Sequence, residues 1–332
     1  MSHLLKPLET ARLKLLNRLV MPPMATEKAD QNGKVTEELI EHYNNKSKGG
    51  CIGLVIVEHS FISPEGKASP GQLSVADDSV VEGLKKLAEV IRSNGSKAVL
   101  QINHAGSAAS EKVTGTTPAG PSAVTNPRKK TEARELTGIE IENIITAFGN
   151  AARRVKLAGF DGVEIHSAHG FLLNQFFSPL TNKRTDQYGG ALNKRMTIHY
   201  RVIEAVRKAV DEDFPILLRL GASDYMEGGT TIEESKIAAE ELAKLGIEIL
   251  DISGGHSGYT VPGLSGQGFF APLSEAIKEV VKVPVILTGG VTDAHSAEKL
   301  LAENKADLIG VGRAIYKDDD WARRALESLS KE

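Results

Sequence analysis

A (β/α)8 TIM barrel, an α/β fold in one domain over residues 1–332, is what the sequence predicts, on three observations. Eight short apolar, β-rich runs alternate with helical patterns along the whole chain. No linker-like stretch interrupts that alternation. No G-x-G-x-x-G follows the first run, which disfavours the runner-up, a doubly wound sheet.

The elements follow in order. Strands are expected at 18–24, 53–60, 97–104, 162–168, 216–223, 249–255, 284–290 and 307–313. Near-continuous apolar runs of this kind suit parallel strands covered by helices. Helices are expected at 36–48, 78–93, 140–158, 193–210, 231–245, 271–281, 294–303 and 319–329. The first opens "TEE", a capping threonine with acids in the first turn. Several end at glycine, as in "SNG", "AGF" and "LGI", which closes a helix in the left-handed region. The segment 105–135, rich in Gly, Pro, Ser and Thr, reads as an excursion after strand three.

Composition narrows the function. A formal net charge of −3 with no dense basic surface argues against nucleic acid as a partner. The run "NPRKK" (126–130) reads as a solvated loop. The single cysteine, Cys51, excludes an intrachain disulfide and a four-thiolate iron–sulfur cluster, and suits a reducing cytoplasm. No apolar stretch approaches the roughly 20 residues that cross a bilayer, and no signal peptide is evident at the start. The expected partner is a small molecule, and a homo-oligomer is left open.

In this fold the site lies at the C-terminal strand ends. Those ends offer Pro23, Met24, Ala25 and Thr26; Glu58 and His59; Gln101, Asn103 and His104; His166 and His169; Arg219; Ser253 and Gly254; Gly289 and Gly290; Gly312 and Arg313. Bare amides at the glycines of strands seven and eight, with Arg313 beside them, suit a phosphate rather than merely tight turns. His166 and His169 would face opposite sides of a regular strand. They converge only if the chain curls at Ala168 to Gly170. Without a carboxylate-plus-thiol set they read as hydrogen-bond donors to a substrate oxygen, against the blander reading of structural histidines. No lysine ends a strand in a Schiff-base position, and no Ser–His–acid order stands out. A planar, hydrogen-bonding cofactor with a phosphate tail fits this layout.

The stretches "NRLVMPPMAT", "GLVIVEHSFISPEGK", "LQINHAG", "GFDGVEIHSAHGFLLNQFFSPLTNKRTDQYGG", "LRLGASD", "LTGG" and "DLIGVGRAI" make the chain resemble the Old Yellow Enzyme family of FMN-dependent oxidoreductases over nearly its whole length. The resemblance implies FMN, with NADH or NADPH as reductant, and a ping-pong scheme. Hydride passes to flavin N5 and then to the β-carbon of an activated alkene such as an enone or enal. It implies that Pro23, Met24 and Ala25 back the ring, with His59 among the cofactor-facing residues. Gln101 and Arg219 would meet its pyrimidine edge and N1 side. Gly289, Gly290, Gly312 and Arg313 would hold the phosphate, and His166 and His169 the substrate carbonyl.

Three departures matter. Phe171 stands where the family usually has the tyrosine that protonates the α-carbon, and such an acid is worth roughly 10²–10⁴-fold. Tyr259 and His256, in the loop after strand six, are the candidate substitutes. Ala25 lacks the hydroxyl or thiol that many members place near the flavin. The stretch "PPMAT" is similar to the enoate- and dienoyl-reductase branch, whose members add an iron–sulfur cluster and a second flavin domain. With one cysteine in 332 residues, neither is expected here. Arg323 and Arg324 fall in the last helix, so no arginine is expected to reach a neighbouring subunit's site. Beside the ene-reductase stand an NAD(P)H oxidase or quinone or nitro-compound reductase, which needs no carbon protonation, and a non-catalytic flavin-binding protein.

Overall fold

The computed structural model describes residues 2–330. Eight parallel strands close into a barrel: β1 Leu19–Met21, β2 Leu54–Phe61, β3 Lys97–Asn103, β4 Gly162–Ser167, β5 Ile216–Gly221, β6 Ile249–Ser253, β7 Val285–Thr288 and β8 Leu308–Gly310. Strand β8 pairs with β1, so no edge is left open. The outer helices are α1 Glu37–Ser47, α2 Val81–Ser93, α3 Gly138–Leu157, α4 Thr197–Ala209, α5 Ile232–Lys244, α6 Ala271–Lys278, α7 Ala294–Ala302 and α8 Trp321–Ser330.

Local chemistry explains the helix starts. Thr36 caps α1 by accepting from the Leu39 amide, and Thr137 and Thr231 form capping boxes with Glu140 and Glu234. Strand alternation then sorts side chains between two cores. Outward residues such as Val55, Leu100, Val163, Leu218 and Leu250 pack under the helices. Inward residues Val20, Leu54, Ile56, Val99, Leu217, Ile249, Ile286 and Leu308 fill the lower barrel. Leu8, Leu13 and Leu15 join that inner cluster from a hairpin, Leu8–Glu9 against Lys14–Leu15, which stoppers the lower end. The sequence pattern does not announce this hairpin, because two-residue strands show no periodicity.

Every expected strand and helix forms with its ends shifted by a few residues: α3 begins earlier, at Gly138, and the pattern expected at 193–210 divides into Leu192–Arg195 and Thr197–Ala209. The strand ends at 22–24, 254–255, 289–290 and 311–313 leave the ladder to become loops. The excursion is partly ordered. It holds a helical turn at Glu111–Thr114 and a short parallel pair, Ala119–Gly120 with Arg134–Glu135. Short helices at Leu172–Phe177 and Arg313–Lys317 were not expected. Both begin in loops at the upper end, where the site lies.

Candidate active site

Above the apolar layer the inward-facing residues turn polar. Gln101, Glu164, Arg219 and Asp251 come from β3 to β6, each within the barrel and almost wholly buried. Gln101 and Glu164 are register partners, and Gln101 Nε2 donates to Glu164 Oε1 at 2.7 Å. Arg219 and Asp251 are register partners too, with Nε and Oδ2 3.1 Å apart. Thr288 Oγ1 donates to Asp251 Oδ1 at 3.4 Å. Burial, with Asp251 nearby, holds the Glu164 carboxyl well above the usual carboxylate range, against the pull of Arg219 and the Gln101 bond. Burial raises Asp251 as well, opposed by Arg219 and Thr288.

The sequence reading did not assign Glu164, Asp251 or Thr288. The signal was present: acids inside otherwise apolar runs, at even spacing from the residues chosen. Glu164 and His166 are two apart and share one face of β4.

Over this floor opens a cavity of about 610 Å³. The residues expected to bind cofactor or substrate line it: Pro23, Met24 and Ala25 after β1, His59, Gln101, His166, His169, Arg219, Gly289 and Gly290, Gly312 and Arg313, and Tyr259. Thr26 does not line it; its amide donates to Glu58 Oε2 at 3.1 Å.

The curl after β4 occurs as the two histidines require. His169 and Gly170 both take positive φ, 60° and 73°. A side chain at 170 would meet His256 Nδ1 at 3.1 Å in a backbone region that L-residues avoid. The turn is held from behind. Asn174 Oδ1 accepts from the Gly170 amide at 2.8 Å, and Gln175 Nε2 donates to the Gly170 carbonyl at 2.7 Å. The His169 amide donates to the Gly254 carbonyl at 3.2 Å. The imidazoles end with centroids 5.1 Å apart, edge to face. His169 Nε2 shares a 2.8 Å hydrogen bond with Ser253 Oγ. His166 has no hydrogen-bond partner among the described residues, and its Nδ1 is buried. Desolvation, then the neighbouring imidazoles and Arg219, hold both rings well below the ordinary histidine value, so both are neutral near pH 7.

Phe171 fills the space beside them. Its ring lies 5.1 Å from that of His166 and 5.2 Å from that of His59. His59 is held by Gln72, whose Nε2 lies 2.7 Å from its Nδ1, and burial followed by Arg219 brings it down to about 4.

The two proposed stand-ins for the missing tyrosine part company. Tyr259 lines the cavity, 58% exposed, its ring 5.8 Å from that of His169. His256 does not line it. Its ring sits behind Gly170, its Nε2 shares a 3.1 Å bond with Thr181 Oγ1, and its amide donates to Asp224 Oδ1. The loop geometry that brings Gly170 forward pushes His256 out of reach.

The basic run is an exposed loop, as expected, and two of its residues, Arg128 and Lys129, also line the cavity. The turn that carries them is anchored by buried Asn126, whose Oδ1 accepts both their amides at 3.0 and 2.9 Å and whose Nδ2 donates to Ser107 Oγ. The Arg128 guanidinium lies 5.5 Å over the Tyr259 ring.

The donor set fits a flat, anionic-tailed ligand. The Arg219 Nε is buried without a well-aligned hydrogen bond, although its side chain lines the cavity. At the far end Gly290 has φ 74°, and a Cβ there would lie 2.3 Å from the Gly266 carbonyl oxygen, so the chain turns back with bare backbone. Among the described residues no acid pairs with Arg313, Arg128 or Lys129, and no cluster could hold a metal. Among the described residues no helix is long and apolar enough to cross a membrane.

Comparison with known proteins gives the family. Residues 3–332 match the family model described as NADH:flavin oxidoreductase / NADH oxidase. The chain is 42% identical to the NADH oxidase of Thermoanaerobacter brockii over 96% of its length, and spans about half the length of that relative, 50%. It is 38% identical to the NADPH dehydrogenase of Clostridium acetobutylicum, covering 92% of this chain and 88% of that one. An Old Yellow Enzyme homologue of solved structure from Zymomonas mobilis superposes with a TM-score of 0.86 at 28% identity, over 98% of this chain and 92% of that one. With a family model matched along nearly all its length and the barrel cavity in place, the chain belongs to the NADH:flavin oxidoreductase / NADH oxidase family.

Proposed function

We propose that this chain is an NAD(P)H-dependent FMN oxidoreductase that reduces electron-poor alkenes such as enones and enals. One observation carries the reading: two neutral imidazoles converge, 5.1 Å apart, over a floor where Arg219 and Gln101 line the same cavity. Bound FMN would supply reversible two-electron chemistry, charged by NADH or NADPH and discharged on the second substrate. Pro23, Met24 and Ala25 would back its ring, and Gln101 and Arg219 would meet its polar edge. Gly289, Gly290, Gly312 and Arg313 would hold its phosphate.

The protein's own part is orientation and charge. His166 and His169, both neutral, are hydrogen-bond donors for a carbonyl oxygen, and donors fixed before reaction stabilise the negative charge that develops there. Ser253, bonded to His169 Nε2, fixes that ring's plane. The α-carbon must also receive a proton. Phe171 has none to give, and Tyr259 is a cavity-lining phenol whose ring contacts that of His169, 5.8 Å away. We assign Tyr259 that role.

The packing of Phe171 against both His59 and His166 favours a second reading. It removes a hydroxyl from beside the imidazoles, and reduction of oxygen, a quinone or a nitro compound would not need one there. Anaerobic half-reactions separate the two. NAD(P)H should bleach the flavin's visible absorbance, and 2-cyclohexenone should restore it. Bleaching that only oxygen or a quinone reverses would establish the second reading instead.

A further inference from the structure

Glu164 is a costly side chain to bury near the floor. It is 0% exposed, does not line the cavity, and has one carboxyl oxygen, Oε2, buried without a partner among the described residues. A carboxyl in such a place destabilises a barrel relative to an apolar residue of the same size. Its one bond goes to Gln101, whose side chain does line the cavity.

That bond has a directional consequence. A primary amide presents a carbonyl on one side and N–H groups on the other, and the two ends are nearly equal in shape. An acceptor on one side fixes which end faces away. With Nε2 committed to Glu164 Oε1 at 2.7 Å, the oxygen and the second N–H are left for the cavity. The pyrimidine edge of a flavin carries an imide N–H beside carbonyl oxygens, so it needs one acceptor and one donor in a fixed order. Asp251 lies beside Arg219 as an ion pair, Nε to Oδ2 3.1 Å, without an aligned hydrogen bond.

We infer that Glu164 is a positioning residue, which acts through Gln101 to fix the amide orientation that a bound flavin ring meets. The inference rests on the reading that FMN occupies this cavity. Its test is a double-mutant cycle on FMN affinity, read by fluorescence quenching as flavin titrates the apoprotein, with far-UV circular dichroism and thermal melting as controls for folding. Glu164→Met removes the acceptor at similar length. Gln101→Met removes the group it acts through. Glu164→Gln keeps an acceptor oxygen without the charge.

E164M and Q101M should each raise the dissociation constant about tenfold, the scale of one oriented hydrogen bond. The double variant should bind no worse than Q101M alone, because coupled residues are non-additive. E164Q should stay within about threefold of wild type. Full additivity in the double variant, or wild-type affinity in E164M, overturns the inference. So does an E164Q as weak as E164M, which would make charge rather than direction the determinant. Should E164M not fold, Glu164→Ala takes its place in the cycle. A wild-type apoprotein that takes up no FMN would instead overturn the functional reading on which this one stands.

Discussion

Single side chains decide the chemistry. Phe171 occupies the space beside His166 and His59 from which a hydroxyl would face the same cavity. Phe171→Tyr should raise enone turnover by about tenfold or more if the missing acid limits it, while flavin reduction by NAD(P)H keeps its rate. Rapid-mixing measurement of both half-reactions checks this, and an unchanged alkene rate would leave Tyr259 as a sufficient donor. Glu58 poses a stability question instead. Burial pushes it up to about 7, although Thr26 donates to it. Its folded value lies above its unfolded one, so the proton stabilises the fold. That stabilisation is complete below about pH 4.5 and is lost as pH rises through 7. Glu58→Gln retains the acceptor for Thr26. It should therefore match wild type near pH 5 and exceed it near pH 8, by up to about 3 kcal/mol. Urea unfolding at the two pH values measures the difference, and an equal gap at both would show that Glu58 is not the titrating group.

At the scale of elements, the loops carry specificity and the strands carry precision. The turn at 126–131 brings Arg128 and Lys129, which pair with no acid among the described residues, to the cavity of an otherwise slightly acidic protein. Exposed charges at a rim act chiefly on encounter with charged ligands, and salt screens them. Arg128→Gln should raise KM for NADPH about threefold at low ionic strength, leave kcat near its wild-type value, and lose its effect in about 0.5 M salt. A defect that persists in salt would mean that Arg128 acts by holding Tyr259 rather than by charge. The short helix Leu172–Phe177 shows the other role. Its side chains Asn174 and Gln175 hold the backbone of Gly170, and so fix where the imidazoles point.

For the molecule as a whole, the closed barrel sets two apolar cores, one within the strands and one under the helices, below the candidate cavity. A ligand that binds only the folded state adds RT ln(1 + [L]/Kd), about 2.7 kcal/mol at a hundredfold excess over Kd. Saturating FMN should therefore raise the melting temperature of the apoprotein by roughly 5 °C. Adenosine monophosphate, which has a phosphate but no isoalloxazine, should raise it far less. Equal shifts would mean that the phosphate end alone accounts for binding.

The sequence by itself determined the barrel, the order of its strands and the upper rim as the place of the candidate site. Each of these follows from local patterns: apolar runs, capping residues and the glycines after β7 and β8. The imidazole pair was legible as well, because only a curl at Gly170 lets residues three apart on a strand share a pocket. Tertiary structure decided the rest. That Tyr259 meets His169 while His256 lies behind Gly170 depends on how two loops pack, and residues from separate loops leave no period in the chain. That Arg128 faces the cavity depends on Asn126 reaching Ser107 across the excursion. The buried layer of Gln101, Glu164, Arg219 and Asp251 forms because barrel closure sets four distant strands at one level, where a charge's worth depends on neighbours that sequence distance conceals.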